Sequence, residues 1–119
     1  MTPIGPYSHI AKAGPFIFIG ATAGVDPASD ELVGPGVASQ THQIIDAFKV
    51  MLASVESDLG HVLHINIFMV DIRNFAEMNA AYAEAMGHAR PARTAVQVVA
   101  LPKPGAVLTM NLTAIARAS

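Results

Sequence analysis

The chain has 119 residues, enough for one domain, spanning 1–119, with a modest core. Hydrophobic residues make up 52% and charged residues 13%, about half the usual charged share, so part of the surface is expected to be hidden against further copies of the chain. The net charge of −2, with Lys12, Lys49, Arg73, Arg90, Arg93, Lys103 and Arg117 scattered, offers no basic stripe to nucleic acid, and the lack of cysteine excludes disulfides, thiolate metal sites and a cysteine nucleophile.

The opening Met1-Thr2-Pro3-Ile4-Gly5-Pro6 has neither the basic start nor the apolar run of a signal peptide. No stretch is long enough to cross a bilayer, so a cytoplasmic protein without a membrane partner is expected. Pro3, Gly5 and Pro6 exclude a helix here. Tyr7 to Ala13 is predicted to be a short strand, turned by Ala13-Gly14-Pro15. Phe16 to Thr22 is aromatic and β-branched, hence a second strand, and its nearly continuous apolar character predicts burial on both faces. Within it Gly20 marks either a bulge or tight packing, or a place where another backbone or a ligand approaches closely. Residues 24–36, with Gly24, Pro27, Gly34, Pro35 and Gly36, read as a polar surface loop without a phosphate-binding signature.

Thr41, Ile44, Ile45, Phe48, Met51, Leu52, Val55 and Leu59 recur at spacings of three and four, which predicts a helix near 37–57. Ser39 would be its N-cap and Gly60 its stop. His61 to Val70 favours a strand. His61 and His64 would then point to opposite faces, no third ligand joins them, and no metal site is read. Asn74 to Met86 is a second helix with a buried stripe of Phe75, Met78, Asn79, Tyr82 and Met86, closed by Gly87. Asn79 is the amide of that stripe; it either caps a backbone group in the core or looks into a pocket.

The stretch Arg90-Pro91-Ala92-Arg93-Thr94-Ala95-Val96-Gln97-Val98 runs from a proline-held loop into a strand over 93–100. Arg93 stands at the junction. A guanidinium presents a planar fork of donors that matches a carboxylate, and a strand start fixes its backbone so that the fork is aimed. The plainer reading is an arginine that snorkels at a strand end. Leu101-Pro102-Lys103-Pro104-Gly105 breaks the strand, and Ala106 to Arg117 forms the last one. Its two faces differ: Leu108, Met110, Leu112, Ala114 and Ala116 are apolar, while Thr109, Asn111 and Thr113 make a polar row that is either a wet surface or a pocket wall. The order is β-β-α-β-α-β-β, an α+β fold with two helices on one face of a mixed sheet. The other face has no cover within one chain, which again points to an oligomer.

Several segments resemble the reactive intermediate deaminase (RidA/YjgF) family: Gly5-Pro6-Tyr7-Ser8, Phe18-Ile19-Gly20, Asp26-Pro27, Glu31-Leu32-Val33-Gly34, Gln40-Thr41, Asn79-Ala80-Ala81-Tyr82, Pro91 through Val98, and Leu112-Thr113-Ala114-Ile115-Ala116. The resemblance runs from Ile4 to Ala116. It implies a chorismate-mutase-like fold and a homotrimer whose sheets pack into a barrel, with clefts between subunits. It also implies hydrolysis of imines, or of their enamines, to oxo acids and ammonia without a cofactor, on small carboxylate-bearing substrates released by pyridoxal-phosphate enzymes.

Carried over by position, Arg93 falls on the carboxylate-binding arginine and Ala95 on the residue whose backbone N–H assists it. Tyr7 matches a tyrosine that lines the cleft from the neighbouring subunit. Gly20 and Ala21 lie where the backbone approaches the substrate, and Asn79 falls near the pocket. Thr113 takes the place of a glutamate thought to position the attacking water, and Asn111 replaces a second carboxylate. A threonine hydroxyl can hydrogen-bond a water but is no general base near neutral pH. His9 and His88 are the candidate substitutes. The change also leaves room for a non-catalytic member that binds a small carboxylate such as a 2-oxo acid, and for a specialised catabolic deaminase. Some relatives are labelled endoribonucleases, but the charge balance and the lack of an aromatic-basic surface argue against RNA.

Overall fold

A computed structural model of the chain describes residue 5 and residues 7–118. The readings placed on Pro3 and Pro6, and most of the signal-peptide reading of the first six residues, lie outside the described residues. Strand β1 (Ile10–Ala13) begins three residues later than expected from Tyr7, and it turns back into β2 (Phe16–Thr22). Ala13 pairs with Phe16, so Gly14-Pro15 is a two-residue loop, and Gly14 supplies the left-handed φ of 58° such a loop needs.

Helix α1 (Val37–Ser54) is three residues shorter than expected. Its N-cap is Gly36, because Ser39 lies inside the first turn, where its Oγ donates to Gly36 O at 3.1 Å. Gly60 does not stop it. The chain leaves the helix at Glu56, which takes φ 61°, while Ser57 N donates to Leu52 O at 2.8 Å and Glu56 N to Ala53 O at 3.3 Å. That pair of bonds is the Schellman closure, with a glutamate where glycine is usual.

Strand β3 (Val62–Met69), helix α2 (Phe75–Met86), β4 (Ala92–Gln97) and β5 (Leu108–Ile115) complete the chain. Gly87 ends α2 as expected, with φ 64°. The sheet order is β1-β2-β5-β3-β4; β3 and β4 run parallel across the α2 crossover, and the other pairs are antiparallel. This is the mixed α+β fold expected from the pattern.

Both helices lie on one face. Ile44, Ile45, Phe48 and Leu52 of α1 and Met78, Tyr82 and Met86 of α2 form the core with Ile17 and Ile19 of β2, Ile65, Ile67 and Met69 of β3, and Leu108, Met110 and Leu112 of β5. The expected double-sided burial of β2 is corrected: Ile17 and Ile19 are buried, but Phe16 and Phe18 are 45% and 46% exposed. Side chains alternate across a strand, and one chain has helices for one face only.

The loop over residues 24–36 is pinned by Gln40, which is fully buried. Gln40 Nε2 donates to Gly34 O at 2.7 Å and Gly105 O at 3.3 Å, and its Oε1 accepts from Val107 N at 3.0 Å. A close backbone approach is found at Gly24, where a Cβ would lie 2.7 Å from Gln40 Cα. Gly20 has 3.9 Å to its nearest neighbour, His9 O, and sits in a register irregularity between Ile19 and Thr22, which is the bulge reading. Among the described residues no helix is long and apolar enough to cross a membrane.

Candidate functional site

Arg93 is held by helix α2. Its position on β4 pairs with the core residue Ile65, so it faces the helices. Asn79 Oδ1 accepts from Arg93 Nη1 at 2.8 Å, and the guanidinium carbon lies 4.8 Å from the Tyr82 ring centroid and 5.5 Å from that of Phe75. Phe75, Asn79 and Tyr82 are spaced by four and three, so they share one face of the helix and form a cradle. The rings attract the cation through their faces, and the amide fixes one edge of its fork. Among the described residues the remaining donors of the fork make no hydrogen bond. This is more than an arginine snorkelling at a strand end.

The expected buried stripe of α2 needs correction. Met78, Ala81, Tyr82 and Met86 are buried, whereas Asn79 and Phe75 are exposed. Asn79 therefore caps nothing in the core; it orients Arg93. Arg90 braces the loop in front of the strand, its Nη1 donating to Gly87 O at 2.7 Å and Ala89 O at 2.8 Å. Burial pushes the Tyr82 phenol above its ordinary pKa, against the pull of Arg93 and Arg90, and Tyr82 Oη has no hydrogen-bond partner among the described residues. Ala95 lies two residues beyond Arg93 on the same face of β4. As an edge strand, β4 leaves alternate backbone groups without a ladder partner.

Tyr7, Gly20 and Ala21 gather at the other edge of the sheet. Gly20 N donates to His9 O at 3.0 Å, Thr22 Oγ1 donates to Gly20 O at 2.9 Å, and the Tyr7 ring stands edge-on to His9 with centroids 5.8 Å apart. Tyr7, Gly20 and Ala21 are all exposed. Three strand spacings, about 14 Å, separate β2 from β4.

Thr113 belongs to neither group. It pairs with Phe18 of β2 and His64 of β3 on the open face of the sheet. Its neighbour Leu112 pairs with Ile65, the residue that also pairs with Arg93. Arg93 and Thr113 thus stand on opposite faces, and one chain does not bring the two expected catalytic residues together. The reason is the two-residue period of a strand, which sequence alone does not align between strands.

The polar row of β5 continues onto β3 and β4. Asn66 Nδ2 donates to Asn111 Oδ1 at 2.9 Å, and His64 Nε2 lies 3.0 Å from Thr94 Oγ1. The sequence reading does not include His64, Asn66 and Thr94 in this row. The signal was present: His64 and Asn66 sit two apart on β3, the spacing of Asn111 and Thr113 on β5. His61, by contrast, is in a single 3-10 turn (Leu59–His61) before the strand, its Nδ1 2.8 Å from Asp58 Oδ1. His61 and His64 therefore do not share one strand, and the expected opposition of their faces does not apply. Among the described residues no three His, Asp or Glu side chains gather as a metal would need. His88 is exposed in the turn after α2, and His9 lines a surface cavity of about 340 Å³ with Ile10, Val25 and Met51, at the sheet edge far from Arg93. Neither pairs with Thr113.

Residues 1–116 match the family described as endoribonuclease L-PSP. The chain is similar to a RutC family protein of Pyrococcus horikoshii, 41% identical over 101 residues that cover 85% of this chain and 80% of that one. It is also similar to the 2-iminobutanoate/2-iminopropanoate deaminase of Bos taurus, 36% identical over 104 residues that cover 87% of this chain and 76% of the relative. The crystal structure of the YjgF gene product of E. coli superposes with a TM-score of 0.89 at 28% identity, covering 97% of this chain and 91% of that one.

Proposed function

The chain belongs to the endoribonuclease L-PSP family, the RidA/YjgF proteins, and on that premise we propose that it hydrolyses small 2-imino acids, and the enamines in equilibrium with them, to 2-oxo acids and ammonia. The observation that carries this reading is the cradle of Arg93. A protonated imine is already a strong electrophile. The protein has to hold the carboxylate beside it, place a water over the C=N carbon, and keep the geometry while the iminium lasts. Arg93 does the first through the donors that Asn79 leaves open. Positioning of this kind supplies several kcal/mol of barrier reduction, and no cofactor enters the reaction.

Tyr7, Gly20 and Ala21 lie at one edge of the sheet, Arg93, Ala95 and Asn79 at the other, and Thr113 on the opposite face from Arg93. A site containing all of them forms only where two copies meet. We therefore place the cleft between subunits of a homotrimer, with Arg93 of one copy facing Thr113 and the Tyr7 edge of its neighbour. The uncovered face bearing Phe16 and Phe18 supports such an assembly. The cytoplasm is the proposed compartment, beside the enzymes that release these imines.

The test is imine decay. 2-Iminopropanoate or 2-iminobutanoate is generated in situ, and its loss is followed with wild type and with Arg93→Ala. Acceleration by wild type alone supports the reading. If wild type is no faster than buffer while still binding 2-oxobutanoate, the protein is a carboxylate binder and the deaminase reading fails.

A further inference from the structure

We propose that His64 accepts the proton of the attacking water, working beside the Thr113 hydroxyl. The inference rests on the deaminase reading above and assigns a residue that reading leaves open. A threonine hydroxyl orients a water but does not take its proton near neutral pH, so a base is missing at Thr113. His64 is the direct cross-strand neighbour of Thr113, which puts their Cβ atoms about 5 Å apart on the same face. The attacking water would sit between ring and hydroxyl. Thr94 engages one ring nitrogen, Nε2, at 3.0 Å, and Nδ1 makes no hydrogen bond among the described residues. When Nε2–H donates to Thr94, the lone pair is on Nδ1.

The electrostatic surroundings are simple. β3, β4 and β5 carry one formally charged side chain, Arg93, and it points to the other face. Facing His64 on the open side of its own chain are Thr94 from β4, Asn66 on its own strand, and Asn111 and Thr113 from β5, all uncharged, and in the proposed cleft Arg93 of the neighbouring copy faces them as well. The charged groups flanking these strands are His61 and Asp58 before β3, Asp71 and Arg73 after it, paired with each other, Arg90 before β4 and Arg117 after β5. His61 and Arg117 both contact Asp58, and Arg90 is tied to backbone carbonyls. His64 is thus the titratable side chain of the polar row.

In the step, water oxygen bonds to the iminium carbon and the C=N π pair moves to nitrogen. One water proton goes to His64, giving a neutral carbinolamine and an imidazolium. The imidazolium then returns that proton to nitrogen, the C–N bond breaks, and ammonia leaves. As the carbonyl forms, the carbinolamine hydroxyl gives its proton to the now neutral His64, which passes it to the departing ammonia, so the sum is iminium plus water to oxo acid plus ammonium.

The experiment compares kcat and KM between about pH 5 and pH 9 for wild type, His64→Gln and Thr94→Val. Wild-type kcat should rise with pH. His64→Gln should lower kcat about 100-fold, remove that limb and leave KM nearly unchanged. Thr94→Val should keep the limb but displace it, which a purely structural histidine would not produce. His64→Gln with wild-type kcat and pH profile overturns the proposal. If wild type does not hydrolyse these imines, the deaminase reading falls and the catalytic role with it. The ring resonances of His64 on titration with 2-oxobutanoate then decide its place: a shift that Arg93→Ala abolishes keeps His64 at the ligand site, and no shift overturns that as well.

Discussion

Arg93→Lys separates a guanidinium fork from a bare positive charge. Lysine keeps the charge, so a site that needs only a cation would hardly change. The structure shows what is lost: the donor to Asn79 at 2.8 Å, and a planar cation stacked 4.8 Å from the Tyr82 ring and 5.5 Å from Phe75. A second charge-assisted hydrogen bond to the substrate carboxylate is worth about 1.5 kcal/mol at a half-exposed site, and the ring contact about 0.5 kcal/mol. The sum of about 2 kcal/mol corresponds to a loss of about 30-fold in kcat/KM. Arg93→Ala should lose more, about 2–5 kcal/mol, because the charge goes too. Asn79→Ala should cost about 1 kcal/mol in an arginine background and little in Arg93→Ala, since the two side chains act as one unit. The assay follows decay of in-situ 2-iminobutanoate over a range of amine donor, with unfolding midpoints as a control for integrity. Arg93→Lys within about twofold of wild type would refute the fork geometry as the source of recognition.

Gln40→Ala should lower stability by about 3 kcal/mol, read as a shift in the urea midpoint, because it strands Gly34 O, Gly105 O and Val107 N beneath a buried side chain. Tyr82→Phe should leave stability unchanged or raise it by about 1 kcal/mol by calorimetry, since the buried hydroxyl has no partner and the ring under Arg93 is retained; a loss of more than about 1 kcal/mol would mean that Oη is satisfied in the assembled protein. The hydrogen bond from His61, helped by the charges of His61 and Arg117, holds the Asp58 carboxyl below the ordinary carboxylate range, against burial. A depressed carboxylate contributes stability above its unfolded pKa of about 3.9 and loses it as pH falls through that value towards the folded one. Urea midpoints of Asp58→Asn should therefore show a flatter fall between about pH 5 and pH 3 than those of wild type. Equal slopes would show that the His61 and Arg117 contacts carry no linkage.

What the sequence determined by itself was whatever repeats along one stretch of chain. The three-and-four spacing of Ile44, Ile45, Phe48 and Leu52 specified α1 and the face it buries, because helix periodicity is local. The alternation of β5, apolar at Leu108, Met110 and Leu112 and polar at Thr109, Asn111 and Thr113, was equally legible, and so was the aimed arginine at the start of β4. Boundaries were less so: Glu56 in a left-handed conformation ended α1 where Gly60 looked the better stop, since the bonds from Ser57 and Glu56 to the last turn outweigh a residue preference. The rest depended on register. Whether Phe18 meets solvent, which residue stands opposite Thr113, and which side Arg93 takes are settled by how distant strands align and by which face the helices cover. A shift of one residue exchanges the two faces of a strand, and nothing within a strand's own sequence records its partner's alignment. Only the tertiary structure could separate Arg93 from Thr113, set His64 beside Thr113, and turn Asn79 from a member of the buried stripe into the hand that holds the guanidinium.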